Sequence, residues 1–215
     1  MGRYIHSLIL KGEGMNLDFK YCISDPGKIA RTLSAFSNSE GGKLLIGVRD
    51  NGSLAGVRSD EEFYMIDAAA RLYCNPEVNV STRTHTINGK NILEVDVPRS
   101  AKIPVKAKDE DGRWKAYFRQ HDQNFMADRV ILQVWRRSVN SRGLLLRFEE
   151  KENLLLNHLR GGEKITLAGF RNLARINGKT AEKILSDFIL CGIIAYQASE
   201  KGILYHLSEE FGTSE

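Results

Sequence analysis

The sequence predicts an α+β protein of two domains, a mixed-sheet domain over residues 1–140 and a winged helix-turn-helix domain over residues 147–215. Three observations predict it. Before residue 140, short β-branched runs alternate with turn signals; after it, the pattern is mostly helical. All four prolines (Pro26, Pro76, Pro98 and Pro104) fall in the first half of the chain. Between the two patterns, Ser138-Val139-Asn140-Ser141-Arg142-Gly143 reads as a linker. A chain of 215 residues accommodates this at about 100–200 residues per domain. With 42% hydrophobic and 27% charged residues, collagen, low-complexity and disordered classes are excluded. No apolar run approaches the roughly 18–20 residues of a membrane span, and the opening Met1–His6 lacks the long apolar core of a secretory signal. Cys22, Cys74 and Cys191 are odd in number and far apart, with no CxxC pair, which argues against a zinc ribbon or a disulfide framework and fits a reducing cytoplasm.

In the first domain, Asn16–Cys22 alternates polar and apolar residues, as a half-buried strand does. Asp25-Pro26 supplies an N-cap and a first-turn proline for a helix carrying Ile29, Leu33 and Phe36 on one face. Gly41-Gly42 stops that helix. Lys43–Val48 is apolar enough for a central strand, and Asn51-Gly52 turns the chain towards Leu54–Val57. Ser59 and Glu62 stand at capping-box spacing before a helix with Phe63, Ile66, Ala70 and Tyr73 at core positions. Strands over Val78–Ile87 and Asn91–Val97 flank a turn at Asn88-Gly89. A further hairpin runs from Val105 to Phe118 around Asp111-Gly112, and a helix near Asp128–Val139 buries Val130, Val134 and Trp135.

The second domain reads as helices over Glu149–Leu159, Thr166–Ala174 and Thr180–Leu190, with a tight turn at Asn177-Gly178. Phe170, Ala181, Ile184, Leu185 and Phe188 face its core. Ile193–Tyr196 and Ile203–Leu207 then form a hairpin around Glu200-Lys201-Gly202. Three helices and a hairpin in this order are the layout of a winged helix-turn-helix.

Three carboxylates are candidates for chemistry. Glu13 and Asp18 flank the start of the first strand, and Asp50 follows the apolar strand. If adjacent strands gather them, their repulsion calls for a shared Mg²⁺ or Mn²⁺. The alternative is a plain turn at Asp50-Asn51-Gly52 and two solvated surface acids. Glu40-Gly41-Gly42-Lys43 does not match a phosphate-binding P-loop, because Leu44 follows the lysine and a strand follows the loop. The five histidines are scattered and no HExxH occurs. Charge is asymmetric. The chain has 31 Lys and Arg against 27 Asp and Glu; residues 1–140 hold 21 basic and 17 acidic residues, and residues 141–215 hold 10 of each. Phosphate contacts are therefore expected from Lys20, Lys28, Arg31, Lys43, Lys106 and Arg119, with Arg171, Arg175, Lys179 and Lys183 of the second domain adding backbone contacts. Glu182 and Asp187 dilute the basic face of that second domain.

The run Glu13-Gly14-Met15-Asn16-Leu17-Asp18-Phe19-Lys20, followed by Ala35-Phe36-Ser37-Asn38-Ser39-Glu40-Gly41-Gly42 and Ile46-Gly47-Val48-Arg49-Asp50-Asn51-Gly52, resembles the Schlafen AlbA-type domain over about residues 8–135. The resemblance implies a Schlafen/AlbA-like first domain that binds DNA or RNA, and a transcriptional regulator when a winged helix follows. It also implies an alternative. Animal Schlafen proteins form a metal-dependent ribonuclease site from two glutamates five apart and a later aspartate. Glu13 matches the first of these, Asp18 the second with a shorter side chain, and Asp50 the third. Those enzymes clamp substrate between two related lobes, so this chain would need a homodimer. A protein-interaction module docking through the neutral second domain is the third expectation.

Overall fold

In a computed structural model, which describes residues 2–57, 59–138, 146–199 and 202–212, the chain forms two compact units, Met1–Met126 and Ala127–Glu215. The first contains α1 (Gly2–Lys11), β1 (Leu17–Lys20), α2 (Pro26–Asn38), β2 (Gly42–Ile46), α3 (Glu61–Arg71), β3 (Cys74–Asn75), β4 (Ser81–Ile87), β5 (Lys90–Val97), β6 (Lys106–Lys108), β7 (Trp114–Gln120) and β8 (Gln123–Met126). Its strands make two four-stranded sheets, ordered β1-β2-β5-β4 and β3-β6-β7-β8. Among the described residues, only β1 and β2 pair in parallel, with Asp18 beside Leu44 and Lys20 beside Ile46.

Helix α2 lies between these sheets, and its sequence explains why. Asp25 caps it by accepting the Gly27 amide, Pro26 opens it, and ten of its thirteen residues are buried. Ile29, Leu33 and Phe36 pack with Leu44, Ile46, Leu93, Val95 and Val97 of the first sheet and with Val105 and Ala107 beside the second. Its buried polar groups are satisfied across the gap. Ser34 Oγ donates to the Val105 carbonyl, while Asn38 bonds the Val105 amide and the carbonyls of Val105 and Tyr117. The helix ends where expected: the Gly41 amide reaches back to the Phe36 carbonyl, and Gly41 has φ +75°. A Cβ there would sit 2.8 Å from the Val97 carbonyl oxygen, so glycine is required twice over.

The other face of the first sheet is covered by α1, which places Ile5, Leu8 and Ile9 on Leu17, Phe19, Leu45, Ile87 and Ile92. The sequence reading assigned no element to α1, although Ile5, Leu8 and Ile9 have helical spacing. Leu54–Val57 is not a strand. Only a bridge joins Leu54 to Val48, and the amides of Ala55 and Gly56 fold back onto the Gly47 carbonyl. Ser59 and Glu62 do interact, through the Ser59 amide and hydroxyl, although Asp60 rather than Ser59 is the N-cap of α3.

The second unit comprises α4 (Arg129–Ser138), α5 (Glu150–Arg160), α6 (Leu167–Ala174), α7 (Gly178–Leu190), β9 (Ile194–Ser199), β10 (Gly202–Leu207) and α8 (Glu209–Gly212). The division therefore falls after Met126, not near residue 140. Helix α4 packs on α7, and Arg137 on α4 pairs with Asp187 on α7 at 2.6 Å. The expected linker from Val139 onward and the turn residues Glu200 and Lys201 lie outside the described residues. Thr166 and Asn177 cap α6 and α7 through the amides of Gly169 and Thr180. Between those helices, Arg175 adopts the left-handed conformation at φ 51°. Leu155, Leu159, Phe170, Leu185, Phe188 and Tyr205 are buried in this unit, and Ile165 bridges to Tyr205.

Candidate functional site

The three carboxylates do not come together. Asp18 is buried on β1, with Oδ1 3.0 Å from Arg119 Nη2 and Oδ2 2.7 Å from Lys20 Nζ. Glu13 is its neighbour. Glu13 Oε1 accepts the Phe19 amide at 2.8 Å, closing the turn before β1. Burial pushes the Glu13 carboxyl above its ordinary value; the Phe19 amide opposes this, the Asp18 charge adds to it and Lys20 works against it. Asp50 is exposed in the turn beyond β2. Parallel pairing sets Asp18 beside Leu44, so Asp50 lies past the far end of both strands. Sequence spacing overlooked this, because the direction of strand pairing decides which ends meet. Among the described residues, no three His, Cys, Asp or Glu side chains gather where a metal ion could be held. The remaining donors fit Mg²⁺ or Mn²⁺ poorly as well, since Asp18 already serves two cations and Glu13 an amide.

Arg119 was expected to meet phosphate, yet it is a buried internal tie. It is 3% exposed. Its guanidinium donates to the carbonyls of Gly14 and Leu17, to Asn124 Oδ1 and to Asp18, and lies 5.0 Å from the Phe36 ring centroid. It joins β7 to the turn and strand that carry Glu13 and Asp18.

A second charged network lies on the α1 face of the first sheet. Strand alternation puts Glu94 and Asp96 of β5 on the same side as Lys43 of β2 and His85 of β4. Lys43 Nζ lies 3.0 Å from Glu94 Oε1 and 2.8 Å from Asp96 Oδ1. Tyr4 of α1 donates to Glu94 Oε1 at 2.7 Å, and His85 Nε2 lies 2.7 Å from Glu94 Oε2. Burial works to raise the Glu94 pKa, but the bonds from Tyr4, Lys43 and His85 outweigh it and hold the carboxyl at about 2. Burial also opposes the Lys43 ammonium, and its bonds to Asp96 and Glu94 outweigh that and push its pKa up. With Glu94 ionised, His85 Nε2 carries the proton in their contact, and His85 Nδ1 is left buried without a hydrogen-bond partner. Lys43 and Asp96 also line an open cleft of about 430 Å³ together with Lys11, Glu13, Asn16 and Gly42. The sequence reading missed Tyr4, His85, Glu94 and Asp96; the only local trace was the alternation in β5.

The remaining cations divide into paired and unpaired. Lys20 is held by Asp18, Lys43 by Glu94 and Asp96, Arg31 by Glu110 at 3.1 Å, and Lys183 by Asp187 at 2.7 Å. Lys28 and Lys106 have no carboxylate partner among the described residues, nor has Lys115, which the sequence reading did not select. Arg171, Arg175 and Lys179 are exposed around the α6–α7 turn, likewise without a carboxylate partner among the described residues. Among those residues, no helix is long and apolar enough to cross a membrane.

No curated protein matches the chain. The crystal structure of the DIP2311 protein from Corynebacterium diphtheriae is 20% identical, with a TM-score of 0.42; the match covers 58% of this chain and 24% of that one, so this chain spans about a quarter of its length. The solution structure of the N-terminal domain of a RecG-related protein from Nitrosomonas europaea is also 20% identical, with a TM-score of 0.40, over 68% of this chain and 96% of that one. The description of the Schlafen, AlbA_2 family matches residues 13–128, a span running from the Glu13 turn to the residues just after β8. That span covers more than half of the sequence and includes the Glu13–Asp18–Arg119 tie, and the chain belongs to the Schlafen AlbA_2 family.

Proposed function

We propose that this protein binds nucleic acid through its phosphates, with the first unit supplying most of the cations. One observation carries this: the lysines left over after ion pairing. Lys106, Lys108 and Lys115 stand on the β6–β7 hairpin and Lys28 on α2, none with a carboxylate partner among the described residues. An unneutralised lysine is free to displace a condensed counterion from a phosphate, which is the main source of affinity in sequence-independent binding. Family membership supports the same reading. Under it, the α5–α7 helices and the β9–β10 hairpin act as a winged helix-turn-helix, and Arg171, Arg175 and Lys179 add backbone contacts. A role in transcriptional regulation, a homodimeric assembly and a cytoplasmic setting belong to the same proposal.

The test is electrophoretic binding of the full chain to single-stranded DNA, duplex DNA and a structured RNA over a range of salt concentrations. Affinity should fall steeply and linearly in log–log form as salt rises. Undetectable binding at low salt, or binding insensitive to salt, refutes the proposal.

A further inference from the structure

We infer that Trp114, Lys108 and Tyr73 form a stacking platform for an unpaired nucleobase, so that the nucleic acid taken by the first unit is single-stranded; this rests on the function proposed above. The three residues occupy one row across neighbouring strands. Lys108 of β6 is paired with Trp114 of β7, and the Lys108 amide donates to the carbonyl of Tyr73, which directly precedes β3. Directly opposed residues in a sheet share a face. The side chains meet accordingly: the Lys108 ammonium lies 5.2 Å from the Trp114 ring centroid and 5.8 Å from that of Tyr73.

Each member has a distinct part. Tyr73 is half-buried beside Gly27 in the first turn of α2, which fixes one side of the row. Trp114 is 39% exposed and offers the largest aromatic surface a side chain can present. Lys108 holds its charge beside both rings, where it can meet the phosphate of a base stacked on the indole. Lys106 lies two residues along the same strand face, about 7 Å away, in reach of the next phosphate. Aromatic surface interleaved with cations is the recognition chemistry of a flexible polyanion whose units carry π faces. Within a duplex those faces are already covered by neighbouring base pairs, so the platform selects unpaired strands.

The experiment compares the full chain binding fluorescently labelled oligothymidylate and an abasic strand of equal length, at low salt. The base-bearing strand should bind about tenfold tighter, and Trp114→Ala should abolish that difference, whereas Trp114→Phe should keep most of it. Trp135 is the only other tryptophan in the sequence, so emission lost on binding by the wild type but not by Trp114→Phe reports Trp114. Equal affinity for the two strands, with Trp114 emission unchanged, overturns the platform while leaving phosphate binding intact. Tighter binding to duplex than to single strands overturns it too. Failure of both strands and of duplex to bind removes the proposed function itself, and the platform with it.

Discussion

Arg119→Met deletes the guanidinium and keeps most of the hydrophobic stem, and it separates an internal tie from a phosphate contact. Arg119 is 3% exposed, and its guanidinium binds one carboxylate, two backbone carbonyls and one amide oxygen. In the variant, Asp18 keeps Lys20, the Gly14 carbonyl loses the guanidinium, and the Leu17 carbonyl is left with the Gly14 amide. Removing one partner of a buried ion pair costs about 3–5 kcal/mol, because the other charge stays buried. Against a typical total stability of about 5–15 kcal/mol, that is a large fraction. Urea unfolding followed by circular dichroism should show the midpoint falling sharply for the first unit. Adding Asp18→Asn to Arg119→Met should restore part of the loss, since it removes the stranded charge, and the double-mutant cycle should be non-additive by about 1 kcal/mol or more. A variant of unchanged stability that bound nucleic acid more weakly would mean that Arg119 faces solvent and phosphate, and the reasoning would fail.

Three further outcomes follow from the charged groups. Glu94 is held at about 2 against an ordinary 4.5, a gap worth about 3 kcal/mol; this stabilisation is complete above the unfolded value and is lost as pH falls towards 2. Glu94→Gln should therefore lower stability at pH 7 and narrow its deficit at pH 3 in urea titrations; an equal deficit at both values would contradict the network. Lys106→Gln and Lys115→Gln should each reduce the slope of log affinity against log salt by about 1, and unchanged slopes would remove these lysines from the interface. The Cys74 thiol, 4% exposed, is pushed by burial up to about 12, whereas Cys22 and Cys191 are exposed. A disulfide reagent at pH 8 should therefore label Cys22 first, then Cys191, whose thiol burial and the Asp187 charge push up, and Cys74 only on unfolding; three equivalents taken up by the folded protein would show that Cys74 is accessible.

Local chemistry made much of the fold legible. Asp25-Pro26 and Gly41 bounded α2, Asn88-Gly89 and Asp111-Gly112 marked the β4–β5 and β6–β7 hairpins, and Thr166 caps α6. Each is a short-range rule acting within a few residues. Helix α1 escaped notice because its apolar face is only Ile5, Leu8 and Ile9, a stripe that acquires meaning once a sheet lies beneath it. The candidate site was less legible. Glu13 and Asp18 are neighbours because one turn joins them, but the place of Asp50 depends on β1 and β2 running parallel. Arg119 and Asp18 are about a hundred residues apart in sequence, and no local pattern distinguishes a guanidinium aimed inward from one aimed at solvent. Likewise, Glu94 becomes a network centre only when β2, β4, β5 and α1 are assembled around it.

The same distinction changes what the net charge of the first unit means. A count along the chain treats Lys20, Arg31, Lys43 and Arg119 as equal contributors to a basic surface, yet all four are committed to carboxylates. The β6–β7 hairpin, by contrast, looks poor in charge because Asp109, Glu110 and Asp111 crowd its tip. Two of those acids are ion-paired, and the third holds the turn. Glu110 pairs with Arg31, Asp111 pairs with Arg113, and Asp109 accepts the Arg113 amide within the turn. With two of the three tip acids ion-paired, Lys106, Lys108 and Lys115 remain without carboxylate partners among the described residues, on strands that also carry the exposed indole of Trp114. The cations free to meet a polyanion are thus concentrated on the hairpin, and the motif-bearing stretch around Glu13 and Asp18 spends its charge on holding β1 to β7.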